Sequence, residues 1–423
     1  MSETPMSFST YAEVEAYLNS LGLFHMDLTL DRVTAILDEL ELRRPPYAVA
    51  QVLGTNGKGS TCTFLASLGQ STGLETGLFT SPHFVSPRER IRVNGHMLDE
   101  DEWCELSNDI MQAGGASLTY FEFITVLAVL AFADYEVDLA VFEAGLGGNF
   151  DATTALASDV TVYAPIAMDH EHILGARLED IAGDKAGAIR PGIPVVTNVQ
   201  DSRALAVLRD AAAQKNAPFL MAAEIATMPA SPQFGLAGQH QHANACLALG
   251  AFKTLAETRG WNPPPIMDWD DVKELAFADA WIAGRMQMVP AQAEYPALIL
   301  DGAHNEHAMR ALKDALRERA IVPSATIFGC MRDKVLDPIL PLLLAMADGP
   351  IFLPPIADNP RAMDPQTLAG RIGERARTCQ SLNEALLQAR SVAGDGLVLV
   401  CGSLYLLGDF FTLRPECLTR DHA

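Results

Sequence analysis

The chain has 423 residues, 49% hydrophobic and 20% charged, which is typical of a soluble globular protein long enough for two domains. Its net charge of −23 argues against a nucleic-acid partner, and any bound anion must be held by local cations, backbone N–H groups or metal ions. The seven scattered cysteines show no zinc-site spacing and no signal peptide is apparent, so we expect a reduced, cytoplasmic protein.

Short apolar runs alternate with helical stretches along most of the chain. Strands are predicted at residues 47–54, 75–80, 137–145, 159–166, 193–199, 296–305, 325–330, 349–356 and 396–408. The alternation predicts an α/β fold with parallel sheets that are covered by helices on both faces. The apolar run 123–133 is too short to span a bilayer and predicts a buried helix, so no membrane partner is expected.

The alternation lapses between about residues 235 and 290, where two helical stretches flank "NPPP". We therefore predict a larger parallel-sheet domain over residues 1–283 and a smaller α/β domain over residues 284–423. The last ten residues, "RPECLTRDHA", are predicted to form a polar tail.

The segment "VLGTNGKGST" follows the first predicted strand and begins a helix. Its glycines let the backbone approach a phosphate, while the helix start supplies unpaired N–H groups and positive potential. Lys58 adds a mobile cation, and the Ser60 hydroxyl could bind Mg²⁺. Gly59 separates these two residues, which the common P-loop pattern does not allow. The segment predicts a nucleotide-phosphate site, with a plain glycine-rich turn as the weaker alternative.

Other candidate residues also follow predicted strands, where ligands bind in open parallel sheets. Glu143 ends an apolar strand and is a candidate Mg²⁺ ligand or an ordinary strand-end charge. Asn244 could contact a purine, Arg285 a phosphate and Asp301 a ribose. A helix position, a surface charge and a helix cap are the respective alternatives. Lys185, between glycines, has the pattern of a surface helix residue.

Together the motifs resemble the Mur-ligase-like amide ligases, and within them the bacterial folylpolyglutamate synthases, which are often also dihydrofolate synthases. The resemblance covers nearly the whole chain. It implies the Mur ligase architecture, in which residues 1–283 form a P-loop-type parallel-sheet ATP-binding domain and residues 284–423 a smaller Rossmann-like α/β domain. Its pieces, in order, are "GTNGKGS", "TSPHFVSPRERIRVNG", "LTYFEFIT", "EAGLGGNFDAT", "MDHEHILG", "DKAGAIRPG", "GRMQ" and "DGAHN".

The resemblance implies a role for each matching residue. ATP contacts are implied at Thr55, Asn56, Gly57, Lys58, Gly59, Ser60, Thr61, Asn244, Arg285, Asp301 and His304. Substrate contacts are implied at Asp27, Arg32, Ser81, Pro82, His83, Phe121 and Asp151. The family pattern places one Mg²⁺ at Ser60 and Glu143 and a second metal at His170, with Lys185 carbamylated beside it. Lys58, Lys185 and His170 would carry the catalytic roles.

The implied reaction uses ATP to phosphorylate a carboxylate, after which the amine of L-glutamate displaces phosphate to form an amide. Dihydropteroate or folates would supply the carboxylate, and the family suggests a monomer. The chain departs from the family pattern at Thr29, Asn149, Phe150 and Thr154, near the implied pterin pocket. Three alternatives remain open: a ligase with one substrate or another acceptor, a nucleotide-binding protein without catalysis, and a transport or motor ATPase.

Overall fold

The computed structural model describes residues 6–22, 29–229, 232–357 and 359–420. The fold divides into two compact units. The first comprises Met1–Gln233 and Ala243–Ala280, and the second comprises Phe234–His242 and Trp281–Ala423. One long helix, Gln239–Arg259, begins in the second unit and continues in the first.

The first unit is built around an eight-stranded sheet of order β4-β3-β2-β5-β1-β6-β7-β8. Its strands are β1 Ala48–Leu53, β2 Thr76–Phe79, β3 Ile91–Val93, β4 His96–Met97, β5 Leu139–Glu143, β6 Val160–Tyr163, β7 Val195–Thr197 and β8 Phe219–Met221. Its helices are α1 Tyr11–Ser20, α2 Asp31–Glu39, α3 Lys58–Ser71, α4 Glu100–Gln112, α5 Tyr120–Asp134, α6 Glu171–Leu174, α7 Leu178–Ala186, α8 Ser202–Gln214, α9 Ala222–Ile225, α10 Gln239–Arg259 and α11 Trp269–Asp279. Strands β2, β5, β1, β6, β7 and β8 are parallel, whereas β3 and β4 are antiparallel at one edge.

The second unit contains a six-stranded sheet of order β13-β12-β11-β14-β10-β9. Its strands are β9 Gln287–Val289, β10 Ala297–Leu300, β11 Ala325–Phe328, β12 Ile351–Leu353, β13 Ala376–Thr378 and β14 Leu397–Cys401. Its helices are α12 Glu306–Glu318, α13 Leu336–Met346, α14 Pro365–Ile372, α15 Leu382–Ala393 and α16 Leu404–Leu413. All neighbouring pairs are parallel except β9 with β10.

The core of the first unit explains why α5 is apolar on every face. Residues 123–132 of this helix are all buried, and Phe132 packs edge-on against Phe142 of β5 with ring centroids 5.5 Å apart. Gly77 of β2 leaves room for this ring, because a Cβ there would lie 2.5 Å from the Phe132 ring. The predicted buried helix is therefore confirmed. Among the described helices, none has the length and apolar character needed to cross a membrane.

Every strand predicted from the sequence is present, and the α/β fold with parallel sheets is confirmed. The last prediction, over residues 396–408, is too long, because β14 ends at Cys401 and α16 begins at Leu404. Five strands were not predicted: β3, β4, β8, β9 and β13. Each has only two or three residues, too few to show a hydrophobic period. The β3–β4 hairpin nevertheless carries a signal, because Asn94 and Gly95 both adopt the positive φ that an Asn-Gly hairpin turn requires.

The predicted polar tail is wrong at its start. Residues Pro415–Leu418 form a 3-10 turn, and Cys417 is only 1% exposed. Its carbonyl accepts a hydrogen bond from Gln287 Nε2 at 2.8 Å. The tail is held because β9 presents a buried amide donor that needs a partner. All seven cysteines are buried free thiols.

Candidate active site

The segment between β1 and α3 forms a loop anchored to the end of β6. The backbone N–H groups of Thr55 and Asn56 both donate to the Pro165 carbonyl, at 2.9 and 3.2 Å. The Thr55 hydroxyl donates to the Ala167 carbonyl at 3.0 Å and accepts from the Ala167 N–H at 3.1 Å. Lys58 Nζ lies over the loop and donates to the Gly54 carbonyl at 3.3 Å. The loop is therefore fixed by β6 before it enters the helix.

The N-terminus of α3 has the features of an anion site. Its cap residue is Gly57 at φ 83°, and within the described structure no side chain caps the helix. Hence its first N–H groups remain available to a ligand. A Cβ at Gly57 would lie 2.5 Å from Asn244 Oδ1, so only glycine fits beside this buried amide. Asn244 is thus placed against the loop between β1 and α3.

The carboxylate of Glu143 lies at the same helix start. It ends β5, is 5% exposed, and its Oε2 accepts the Ser81 N–H at 3.1 Å. A Cβ at Gly59 would lie 3.4 Å from the same oxygen. Ser60, in the first turn of α3, is 3% exposed. The structure therefore brings the phosphate loop, the predicted metal carboxylate and the Ser81 loop to one edge of the sheet.

The protein alone supplies only part of a metal shell. Within the described residues, no group of three or more His, Cys, Asp or Glu side chains is arranged to hold a metal ion. A carboxylate and a hydroxyl are oxygen donors of the kind that Mg²⁺ binds while keeping water or phosphate ligands. Glu143 and Ser60 fit such a shared site. His170 lies apart in the sequence after β6, at φ 52°, where its N–H bonds the Asp169 carboxylate at 2.9 Å.

Lys185 is buried, which its sequence pattern did not predict. It is 4% exposed near the end of α7, and its carbonyl accepts a hydrogen bond from the Tyr163 hydroxyl at 2.8 Å. Burial lowers the pKa of its amine to about 7, and the nearby charge of Lys58 contributes in the same direction. About half of the amine is then neutral near pH 7, which makes it nucleophilic.

The turn after β5 is held by a buried polar network. Asp151 Oδ2 accepts the N–H groups of Gly145 and Leu146 at 2.8 and 3.0 Å. Its Oδ1 accepts the Thr153 N–H at 3.0 Å and the Thr153 hydroxyl at 2.6 Å. These four bonds fill the lone pairs of the carboxylate. Asp151 is therefore positioned to shape the turn.

Gln51 of β1 completes this network. Its Nε2 donates to the hydroxyls of Thr153 and Thr154 at 2.9 and 2.7 Å, and Thr154 donates to the Gly148 carbonyl at 2.7 Å. Thr154, one of the departures from the family pattern, is 2% exposed and holds the loop internally. Phe150, another departure, is 44% exposed.

The remaining predicted substrate residues of the first unit lie on two elements. The Phe121 ring covers Gly145, where a Cβ would lie 2.7 Å from Phe121 Cζ. Arg32 Nη2 pairs with the buried Glu122 carboxylate at 3.0 Å. Asp27, predicted with Arg32, lies outside the described residues.

Pro82 and His83 follow Ser81 in the loop after β2, where side chains accept hydrogen bonds from both the backbone and other side chains. The Ser81–Pro82 peptide bond is cis. Arg90 Nε donates to His83 Nδ1 at 2.9 Å. Burial lowers the pKa of His83 to about 3, with a further contribution from the Arg90 charge. The ring is therefore neutral at physiological pH.

The second unit gathers its own predicted residues around Gly302. Asp301 is 9% exposed, and its Oδ2 and Oδ1 accept the N–H groups of Met286 and Ala303, each at 2.9 Å. A Cβ at Gly302 would lie 2.5 Å from Arg285 Nη1, and His304 Nδ1 lies 2.8 Å from the Gly302 carbonyl. Asp301 does not cap α12, because Asn305 does so.

Three supporting residues were missed from the sequence: Gln51, Glu122 and Arg90. Glu122 had a local signal, since Thr119 and Glu122 form a capping box at the start of α5. Gln51 is a polar residue inside an apolar strand, and a buried amide side chain needs a hydrogen-bond partner. Arg90 had no local signal beyond its place in the quoted motif.

A parallel α/β sheet with an uncapped glycine-bordered helix start and an adjacent carboxylate defines a nucleotide-dependent enzyme of the phosphoryl-transfer type. A family model described as "Mur ligase, glutamate ligase domain" matches residues 284–404. The dihydrofolate synthase/folylpolyglutamate synthase of Bacillus subtilis is 32% identical over 434 residues, which cover 95% of this chain and 98% of the relative.

Two solved structures are also similar throughout their length. The bifunctional folylpolyglutamate synthase/dihydrofolate synthase of Yersinia pestis with AMPPNP and Mn has a TM-score of 0.85 at 30% identity, covering 98% of this chain and 100% of that one. FolC from Escherichia coli with DHPP and ADP has a TM-score of 0.82 at 29% identity, covering 98% and 99%. The chain belongs to the dihydrofolate synthase/folylpolyglutamate synthase family of Mur-type ligases. The predictions of family, fold and enzyme class are confirmed.

Proposed function

We propose that this protein is an ATP-dependent ligase that joins L-glutamate to dihydropteroate, to the γ-carboxylate of a folate, or to both. ADP and phosphate are the other products. The observation that carries the proposal is the open start of α3, where Gly57 borders Asn244 and Glu143 adjoins Gly59. This geometry suits a nucleoside triphosphate, and full-length similarity to the folate ligases supports the acceptor.

ATP fits the residues of the first unit in a defined way. The phosphates would accept hydrogen bonds from the N–H groups at the start of α3, with Lys58 as the mobile cation. The predicted contacts with Thr55, Asn56, Gly57, Gly59, Ser60, Thr61 and Asn244 belong to this site. Thr61 is fully buried, and its hydroxyl has no hydrogen-bond partner in the described structure. A buried hydroxyl of this kind is suited to a ligand or an ordered water.

A divalent metal fits beside the phosphates. Glu143 and Ser60 would hold Mg²⁺ there, and His170 is proposed for the second site. When bound, the metal neutralises charge on the transferring phosphoryl group. The chain's own part is positional: Ser81 N–H holds one oxygen of Glu143 at 3.1 Å, which orients the carboxylate at the start of α3.

The chemistry follows from positioning and charge. A carboxylate is a poor acylating agent, so the γ-phosphate of ATP is first transferred to it and forms an acyl phosphate. Lys58 would offset the negative charge that develops during this transfer. The amine of glutamate then attacks the acyl carbon, and phosphate leaves with the electron pair of the broken C–O bond. No nucleophilic side chain is required, which agrees with a site built from donors and cations.

Lys185 is proposed to be carbamylated. Its amine has a pKa of about 7, so the neutral form can attack CO₂ and release a proton. The product converts a buried cation into an anion beside Lys58, which relieves the repulsion between the two lysines. The carbamate oxygens would then be available to a second metal with His170.

The pterin side is proposed to lie along the start of α5 and the turn after β5. Phe121 would offer an aromatic face, and Arg32, held by Glu122, a cation. Asp151 would act by shaping the turn, with Ser81, Pro82 and His83 near the acyl group.

In the second unit, Arg285, Asp301 and His304 are proposed to contact ATP. Residues 284–423 would form the glutamate ligase domain, and residues 1–283 the ATP-binding domain. We further propose a cytoplasmic monomer.

The test is ADP release by the purified protein with ATP, Mg²⁺ and L-glutamate, comparing dihydropteroate with tetrahydrofolate. Turnover on both establishes a bifunctional ligase, and turnover on one defines a single-step ligase. ATP binding without turnover on either acceptor would overturn the proposal. Exposed Phe150, where the family often has another residue, favours the single-acceptor ligase as the second candidate.

A further inference from the structure

The loop after β2 is fixed by a set of hydrogen bonds that no prediction assigned. The Glu89 carboxylate accepts the N–H groups of Phe84, Val85 and Ser86 at 2.7 to 2.8 Å. The 3-10 turn Pro87–Arg90 follows, and Arg90 returns to His83. The loop is thus held by hydrogen bonds among its own residues.

The bond between Arg90 and His83 determines where the imidazole carries its proton. Arginine can only donate, so His83 Nδ1 must accept at 2.9 Å and can carry no hydrogen. A neutral ring then has its hydrogen on Nε2. The adjacent guanidinium also opposes a second proton. His83 is therefore a neutral donor through Nε2.

Arg90 itself has little freedom. It is 4% exposed, and its guanidinium carbon lies 5.5 Å from the centroid of the Tyr120 ring, within cation–π range. Tyr120 is the first residue of α5 and is followed by Phe121, which covers Gly145. Arg90 therefore connects the loop after β2 to the start of α5, two segments that the sequence presented as separate motifs.

The donor lies on the same loop as a contact of the phosphate site. Ser81, two residues before His83, donates its N–H to Glu143, and Glu143 adjoins Gly59 at the start of α3. A neutral N–H donor suits a carboxylate that must act as a nucleophile. It orients the oxygen without the full charge pairing that would reduce nucleophilicity.

Resting on the proposed function, we infer that His83 donates from Nε2 to the acyl carboxylate that is phosphorylated. We also infer that Arg90 is the positioning residue that fixes this tautomer. Arg90 acts through His83 and does not itself contact substrate. The loop after β2, which was predicted only to lie near the acyl group, would thus supply a hydrogen-bond donor, His83, whose tautomer is fixed by Arg90.

The decisive experiment is a double-mutant cycle on ADP release. His83→Ala should lower kcat by about 10²-fold, the usual effect of losing one preorganised donor. Arg90→Lys, which removes the planar Nε donor, should lower kcat by about tenfold with little change in KM for ATP. The double variant should be no slower than His83→Ala alone, because the two residues act through one group.

Three further variants separate positioning from folding. His83→Gln keeps an N–H donor near the position of Nε2 and should recover most of the lost kcat, whereas His83→Asn should not. Arg88→Lys is the matched control, because Arg88 lies in the same turn, stacks on Tyr11 at 5.7 Å and donates to the Leu98 carbonyl. It should lower stability without lowering kcat. Multiplicative losses in the cycle, or equal loss in His83→Gln and His83→Ala, would overturn the inference.

A spectroscopic measurement is independent of turnover. ¹⁵N NMR of the imidazole should show protonation at Nε2 alone in the wild type and a mixture of tautomers in Arg90→Lys. A hydrogen on Nδ1 in the wild type would overturn the role of Arg90 even if the variants fail to fold. If the wild type turns over no folate acceptor, the proposed function fails and the donation to substrate fails with it. If the wild type turns over a folate acceptor but the kcat losses of the two single variants multiply in the double variant, the proposed function stands and only the inference about His83 and Arg90 is rejected.

Discussion

The two turns that follow β1 and β10 make an instructive pair. Each leads from a parallel strand into a helix at the ligand-binding edge of its own sheet. After β1, the helix starts at Gly57 without a side-chain cap within the described structure. After β10, Asn305 caps the helix by accepting the Ala308 N–H at 2.9 Å. The first turn therefore presents backbone N–H donors to a ligand, whereas in the second turn Asn305 already accepts a hydrogen bond from one of these N–H groups.

The second turn instead presents a carboxylate. Each oxygen of Asp301 accepts one backbone N–H and can accept a further bond. A ligand with anionic oxygens suits the first turn, whereas a ligand with hydroxyl groups suits the second. The same βα topology thus yields two complementary binding chemistries, and the cap residue decides between them.

The largest effect is expected at Gly57. Gly57→Ala should weaken ATP binding by about 10²-fold or more, because the new methyl group meets Asn244 Oδ1 at 2.5 Å and the residue is at φ 83°. Gly73 is a matched control, since it has φ 85° but a methyl group added there would meet nothing within 4 Å. Gly73→Ala should lose about 1 kcal/mol of stability and no ATP affinity. Calorimetry with ATP distinguishes them, and equal ATP affinities in the two variants would contradict the open-turn interpretation.

Lys185→Arg should lower kcat by about 10²-fold, because arginine cannot form a carbamate. In the wild type, ¹³C NMR with labelled bicarbonate should show a carbamate whose occupancy falls as the pH falls through about 7. The sign follows from the pKa: below it the amine is protonated and cannot attack CO₂. Lys215→Arg is the control, since Lys215 donates to the Ile189 carbonyl. A carbamate signal that persists in Lys185→Arg would exclude this assignment.

A smaller effect is expected at the second turn. Asp301→Asn should raise KM for ATP by about tenfold, because one oxygen becomes a donor that faces a backbone N–H. The preference for ATP over 2′-deoxy-ATP should fall in the same variant if the carboxylate accepts a ribose hydroxyl. Steady-state kinetics with both nucleotides measure this. An unchanged preference would remove Asp301 from the ribose site.

The smallest effect concerns the cap alone. Asn305→Ala should reduce the free energy of unfolding by about 1 kcal/mol and leave KM for ATP unchanged. Asn305→Asp retains an acceptor for the Ala308 N–H and should keep wild-type stability. Thermal unfolding and ADP release give the two quantities. A rise in KM without a loss of stability would mean that the second turn also binds an anion.

The sequence predicts those features that are encoded locally. The phosphate loop shows its glycines, lysine and hydroxyl groups within "GTNGKGST", and the long strands show continuous apolar runs. The short strands β3, β4, β8, β9 and β13 were missed because two or three residues cannot display a period. A helix that is apolar throughout, such as α5, needs no partner information to be recognised as buried.

Long-range features could not be predicted in the same way. The Lys185 backbone packs against the turn at Gly148 and accepts a hydrogen bond from the Tyr163 hydroxyl, and neither residue is near Lys185 in sequence. Residues around a lysine do not reveal whether distant segments will enclose it. The bond from Arg90 to His83 likewise depends on the course of the loop. The family resemblance identified Lys185 as a candidate, but the burial that lowers the pKa of its amine appears only in the folded chain.

The burial of all seven thiols gives each unit its own reporter of opening. Cys62, Cys104 and Cys246 lie in the first unit, and Cys330, Cys379, Cys401 and Cys417 lie in the second. Alkylation of the fully buried Cys62 in the first unit and Cys401 in the second requires local unfolding, and burial raises the pKa of both thiols, which slows the reaction further. Pulsed alkylation followed by mass spectrometry would therefore time the opening of each unit separately, with no introduced probe.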